Sequence, residues 1–96
     1  IVFTAGVGEN SVLHRTKICE RLEFIGIKID PQKNEQAVGG KREMDISTPD
    51  SRVKVFVIPT NEELVFAEDV LALLENRYDI HTKFEYSFQK SDFIPP

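Results

Sequence analysis

Residues 1–11 read Ile1-Val-Phe-Thr-Ala5-Gly-Val-Gly-Glu-Asn10-Ser11, and the fold class follows from how this stretch changes character. A short apolar run, 1–5, has the composition of a strand buried on both faces. Gly6 and Gly8 punctuate it. From Asn10 to Ile25 the spacing turns helical, with Val12, Leu13, Ile18, Cys19, Leu22 and Ile25 near one face. Arg15, Lys17, Glu20, Arg21 and Glu23 fall on the polar side. Gly26 is a natural helix stop.

The same alternation continues outward. A second short strand is predicted over 27–30, closed by Pro31, and a polar surface loop over 31–43 with glycines at 39 and 40. Residues 53–58 are the clearest strand: Val53, Val55 and Val57 alternate with Lys54, Phe56 and Ile58. Both faces become apolar toward its end, as in a central strand covered by helices. Pro59 closes it. Thr60 then offers a hydroxyl cap with Glu63 three residues on, a capping-box pattern. A helix is predicted over 61–76, with Leu64, Val65, Leu71 and Leu74 as core contacts. Residues 77–96 hold five of the nine aromatic residues, Tyr78, Phe84, Tyr86, Phe88 and Phe93. The alternation of Phe84, Tyr86 and Phe88 predicts a half-buried strand, or an interface segment. Strands mixed with amphipathic helices define an α/β fold, a mixed sheet with flanking helices.

The bulk composition excludes several functions. With 96 residues the chain can build one modest core. A net charge of −4 and no basic cluster argue against a nucleic-acid partner. No apolar run approaches the roughly 20 residues of a membrane span, and no signal peptide is visible. One cysteine, Cys19, excludes an intrachain disulfide and a CxxC metal site, and suits a reducing compartment. Two histidines, His14 and His81, leave little for a histidine metal site. Cys19 reads as a small core residue and His14 as a solvated one. Arg52 and Lys54 mark the exposed start of a strand.

Two stretches carry candidate chemistry. In the turn over Ala5-Gly6-Val7-Gly8-Glu9-Asn10, glycines bring bare backbone N–H groups to a helix start, where phosphate or nucleotide can approach closely. A Walker A loop would need Lys-Ser/Thr after the second glycine, where Glu9-Asn10 stands. A dinucleotide fingerprint would need Gly or Ala at position 11, which is Ser11, although Asp30 lies 24 positions after Gly6 as a βαβ dinucleotide unit would place its acid. A tight strand-to-helix turn with no ligand accounts for the same residues equally well. The second stretch, Ile58-Pro-Thr-Asn-Glu62-Glu63-Leu64, places two carboxylates just beyond a strand end, where α/β sheets gather ligands and a carboxylate can hold Mg²⁺. Acids in a first helical turn also simply favour the helix dipole, and Glu63 has its capping role.

Taken together, the opening stretch with its helix, the run Leu22–Asp30 (LEFIGIKID) and the run Ile46–Leu64 (ISTPDSRVKVFVIPTNEEL) resemble the C-terminal part of the acetate kinase family, over 1 to about 74. The resemblance implies part of a ribonuclease-H-like, actin-like ATPase domain over 1–76, with 77–96 as a divergent aromatic tail. It implies a kinase converting ATP and acetate to ADP and acetyl phosphate with Mg²⁺ in the cytoplasm, working as a homodimer. Gly6, Val7, Gly8, Glu9 and Asn10 would lie along the ATP adenosine and nearby phosphate, and Glu62 would be the metal-site glutamate. Ala5 stands where the family often has glycine. No catalytic residue is assigned, because the family's asparagine, arginines, histidines and aspartate for acetate and the transferring phosphoryl have no counterpart here. The chain, opening inside a strand, is then expected to be a piece of a longer enzyme, inactive alone. A propionate kinase shares nearly the same motifs. A dinucleotide-binding βαβ unit and a non-catalytic remnant are the alternatives.

Overall fold

The computed structural model describes residues 1–40, 42–79 and 84–94, arranged as two compact units, Ile1–Thr60 and Asn61–Pro96. The first unit is built on a three-stranded mixed sheet. Strand β1 (Val2–Phe3) pairs in parallel with β3 (Phe56–Val57), which pairs antiparallel with β2 (Met44–Asp45). The spatial order is therefore β1-β3-β2, with β3 central as its two-sided apolar pattern requires. Val2 stands opposite Phe56 and Phe3 opposite Val57. The core comprises Phe3, Cys19, Ile27, Ala37, Ile46, Val55 and Val57, with Leu22, Ile29, Met44 and Val53 packed against it.

The ladders are shorter than the sequence pattern predicts. The expected strand 27–30 is reduced to bridges of Ile27 with Val53 and Ile29 with Ser47. The expected strand 53–58 is regular only at Phe56–Val57. Serine hydroxyls replace the missing ladder partners. Ser47 Oγ accepts from the Val55 N–H at 2.9 Å and donates to Asp45. Ser51 Oγ accepts from the Lys28 N–H at 3.0 Å. Such side-chain bonds compete with regular pairing while keeping the buried backbone satisfied.

The helix predicted over 10–25 is three pieces. Helix α1 (Ala5–Asn10) contains both glycines, α2 (Val12–Cys19) follows after Ser11, and Glu23–Ile25 is a separate 3₁₀ turn. Ser11 ends α1 with its backbone extended and caps α2, accepting from the His14 N–H at 3.3 Å. His14 is exposed, as expected, and shares a hydrogen bond with Ser11 Oγ. Gly26 ends the 3₁₀ turn at φ +88°, and a Cβ there would meet Arg52 Cβ at 2.7 Å, so only glycine fits.

The predicted apolar face of this segment is only partly right. Cys19 is buried, but Leu13, Ile18 and Ile25 are exposed, and Arg15, assigned to the polar side, is completely buried. The polar loop predicted over 31–43 contains helix α3 (Pro31–Gln36). Asp30 caps it, accepting from the N–H groups of Gln32 and Lys33. Asp30 thus has a local role in place of the ribose contact that a dinucleotide site would give it.

In the second unit, α4 (Glu62–Leu74) is capped by Asn61, whose side chain accepts from the Leu64 N–H at 3.0 Å. The predicted Thr60–Glu63 capping box does not form. Ala72 is fully buried, whereas Leu71 and Leu74, expected in the core, are exposed and Leu64 and Val65 are half-buried. The strand expected around Phe84–Phe88 is also absent among the described residues. Ser87–Gln89 is a 3₁₀ turn, and Tyr78, Phe84, Tyr86, Phe88 and Phe93 form a row of ring contacts. The alternating spacing keeps the rings together without a partner strand. Tyr86 Oη donates to Asp69 at 2.8 Å and the Ser87 N–H to Glu68 at 2.8 Å, fastening this stretch to α4.

Candidate functional site

Helix α1 follows β1 directly, so the glycine turn is itself the first turn of a helix rather than a loop before one. Thr4 precedes it in extended conformation and makes no side-chain cap. The two glycines serve different ends. A Cβ on Gly8 would stand 3.2 Å from the Phe3 carbonyl carbon, so Gly8 lets α1 pack on β1. A Cβ on Gly6 would meet nothing within 4 Å. Packing inside the chain therefore gives no reason for glycine at position 6, and the space beside it can admit a ligand. Val7 is exposed next to it. Asn10 Nδ2 donates to the Gly6 carbonyl at 3.1 Å, and its Oδ1 accepts from the Gly39 N–H at 3.3 Å, fixing the far end of the turn.

Ala5 adopts φ +59°, the left-handed region in which a Cβ is strained. A glycine at this position would carry no such strain.

Glu9 does not face outward with its neighbours. It is buried, and one carboxylate oxygen accepts from both the N–H and the hydroxyl of Thr60. The Thr60 N–H holds this carboxyl below its ordinary pKa, opposed by burial and helped by the Thr60 hydroxyl. Glu9 also lines a pocket of about 200 Å³ with Gln36, Arg42, Val57 and Pro59. Of the five residues expected along a nucleotide, the structure leaves Gly6, Val7 and Asn10 at the surface, half-buries Gly8, and turns Glu9 inward as a tie to the end of the β3 segment.

Glu62 is the first residue of α4 and is exposed. Among the described residues no cluster of three His, Cys, Asp or Glu side chains could cage a metal. A lone accessible carboxylate fits a Mg²⁺ ion that takes its other ligands from phosphate oxygens and water, and does not fit an all-protein site.

The buried polar residue beside the turn that sequence reasoning missed is Arg15. Its guanidinium makes four hydrogen bonds, to the Asn34 side chain and to the carbonyls of Gly8, Asn34 and Ala37, at 2.6–2.9 Å. The only signal was negative: a cation between two apolar positions of an amphipathic pattern reads as solvated.

Comparison with known proteins places the chain in a family. The model of the acetokinase family matches residues 1–68, and the chain belongs to that family. It is similar to the acetate kinase of Geobacter metallireducens, 55% identical over 94 residues, which cover 98% of this chain and 22% of that protein. Among solved structures, the acetate kinase of Porphyromonas gingivalis is 48% identical with a TM-score of 0.59, covering 76% of this chain and 18% of the other. A propionate kinase of Francisella tularensis is 40% identical with a TM-score of 0.57, covering 70% and 16%. The chain thus spans about a fifth of the length of the curated relatives it matches.

Proposed function

We propose that this chain is the C-terminal segment of an acetate kinase, converting ATP and acetate reversibly into ADP and acetyl phosphate, and that it supplies part of the nucleotide and metal site. The observation that carries the reading is Gly6: a glycine in a first helical turn with open space where its side chain would be, within a chain that matches the acetokinase family. In this reading Gly6, Val7 and Gly8 let the backbone of α1 approach the adenosine and neighbouring phosphate. Asn10 holds the end of the turn, and Glu9 acts from beneath through Thr60. Glu62 holds Mg²⁺, which supplies charge neutralisation on the phosphate oxygens. The sheet and helices form part of a ribonuclease-H-like, actin-like ATPase domain over 1–76, and 77–96 is an aromatic tail that follows it. The enzyme works as a cytoplasmic homodimer. No helix among the described residues is long and apolar enough to cross a membrane.

Phosphoryl transfer depends on positioning and charge stabilisation from every side of the transferring group. This chain carries no acetate-binding set, so the 96 residues alone should not turn over. Hydroxamate detection of acetyl phosphate tests both halves of the reading. The full-length enzyme containing this segment should form it from ATP, Mg²⁺ and acetate, and the isolated segment should not. Turnover by the segment alone at the rate of an ordinary kinase would overturn it. The similarity to the Francisella propionate kinase favours one second reading, propionate as the preferred acceptor. The ratio of kcat/KM for the two acids decides between them.

A further inference from the structure

Arg15 is a charged side chain with no exposed surface, and among the described residues no carboxylate pairs with it. Burying an unpaired cation is ordinarily prohibitive. Its partners explain how it is tolerated. Nη1 donates to the Gly8 carbonyl at 2.8 Å, and Nη2 donates to the carbonyls of Asn34 at 2.8 Å and Ala37 at 2.9 Å. Gly8 lies near the C-terminal end of α1, and Asn34 and Ala37 lie at the C-terminal end of α3. Carbonyls in the last turn of a helix lack intrahelical partners and carry its negative pole. Nε completes the set by donating to Asn34 Oδ1 at 2.6 Å. Asn34 is itself held by α2, donating to the Val12 carbonyl and Thr16 Oγ1.

We propose that Arg15 is a positioning residue that locks α1, and with it the Gly6–Asn10 segment, by joining the negative ends of α1 and α3 through one guanidinium. Gly8 is the point of attachment. Its α-carbon side rests on Phe3 and its carbonyl is held by Arg15, so the turn is gripped from both sides. A planar fork with five donors can serve three carbonyls and an amide oxygen together; a lysine ammonium has three donors at a single point and cannot. The consequence for nucleotide binding rests on the reading given under the proposed function.

The test uses the full-length enzyme with Arg15→Lys, and Asn34→Ala as a milder variant that removes only the Nε acceptor and the Asn34 side-chain bonds. Hydrogen exchange followed by mass spectrometry reads α1 directly. For Arg15→Lys the amides of 6–11 should exchange at least about tenfold faster while those of β3 stay unchanged. The KM for ATP should rise about tenfold while the KM for acetate stays within about twofold, a split that a general loss of stability does not produce. Asn34→Ala should shift both readings the same way by less. Wild-type exchange at 6–11 in either folded variant overturns the inference. Faster exchange with an unchanged KM for ATP upholds the role of Arg15 and overturns instead the nucleotide reading of Gly6–Asn10. Should Arg15→Lys fail to fold, Asn34→Ala decides alone.

Discussion

Both donors of Thr60, its backbone N–H and its hydroxyl, converge on a single carboxylate oxygen of Glu9, each at 2.8 Å. The pair links the last turn of α1 to the segment that follows β3, across 51 positions of sequence. It joins the two stretches whose conjunction marks the family, and it does so inside the protein rather than at the ligand. Hydrogen bonds to a buried charged oxygen are stronger than neutral ones.

Replacing that carboxylate should therefore cost stability first and activity second. Glu9→Ala should destabilise the fold by about 1.5–3 kcal/mol, because two donors of Thr60 lose a charged acceptor. Urea unfolding of the full-length enzyme reads the change. A loss of ATP affinity with no change in stability would place Glu9 at the ligand after all.

The pH dependence follows from the same pair. The folded-state pKa of Glu9 lies below its ordinary value of 4.5, so its stabilisation is fully present above about that pH. It is lost as pH falls from there through the lower folded value. Asp45, held at about 2 chiefly by the Ser47 hydroxyl and also by its N–H, loses its contribution lower down. Glu9→Gln should flatten the upper part of the acid limb and leave the Asp45 part, measured as unfolding midpoint against pH. An unaltered acid limb refutes the assignment.

Ala5→Gly should stabilise the protein by about 0.5–1 kcal/mol. At φ +59° the alanine Cβ is strained by about 1–2 kcal/mol, part of which glycine returns as greater freedom of the unfolded chain. A valine there should be worse than alanine. Thermal melts of the three variants give the order directly, and Gly below Ala would contradict it.

At the start of α4 three neighbouring residues should separate by readout. Glu62→Ala should lower turnover of the full-length enzyme at least about a hundredfold, with only partial rescue by added Mg²⁺. Asn61→Ala should cost about 1 kcal/mol, since Asn61 is the observed cap, and leave Mg²⁺ dependence intact. Glu63→Ala, with no capping box to break, should leave both activity and stability largely as they were. Kinetics across a Mg²⁺ titration at matched folding distinguish them. Near-normal turnover of Glu62→Ala would make Glu62 a helix-dipole residue only.

The α/β class, the central strand, the buried Cys19 and the helix stop at Gly26 were all legible, because apolar alternation and glycine chemistry act locally. What was not legible depends on side chains that choose distant partners. Ser47 and Ser51 shorten the ladders by offering hydroxyls where a backbone partner was expected. Thr60 abandons the helix it precedes for Glu9, and Asn61 takes over as cap; nothing in Thr-Asn-Glu-Glu shows which oxygen will win. Arg15 is buried because two helix segments, α1 and α3, present three carbonyls at one point, a coincidence of tertiary placement. At the candidate site the motif located the turn, but only the structure separates Gly6, facing open space, from Gly8, pressed on Phe3.

The pairing of β1 with β3 has a consequence on the ribosome. The Phe56 N–H donates to the Ile1 carbonyl and the Ile58 N–H to the Phe3 carbonyl, so β1 finds these hydrogen-bond partners only after about 50 further residues have been made. Until then Phe3 lacks Val57, its partner in β3. In a nascent chain halted before position 58 this segment should therefore remain protease-sensitive, whereas in one released past Thr60 it should acquire resistance in a single step. For this segment, translation is a wait followed by one cooperative closure, and a pause in synthesis between 40 and 57 leaves its apolar first strand available to chaperones or to aggregation.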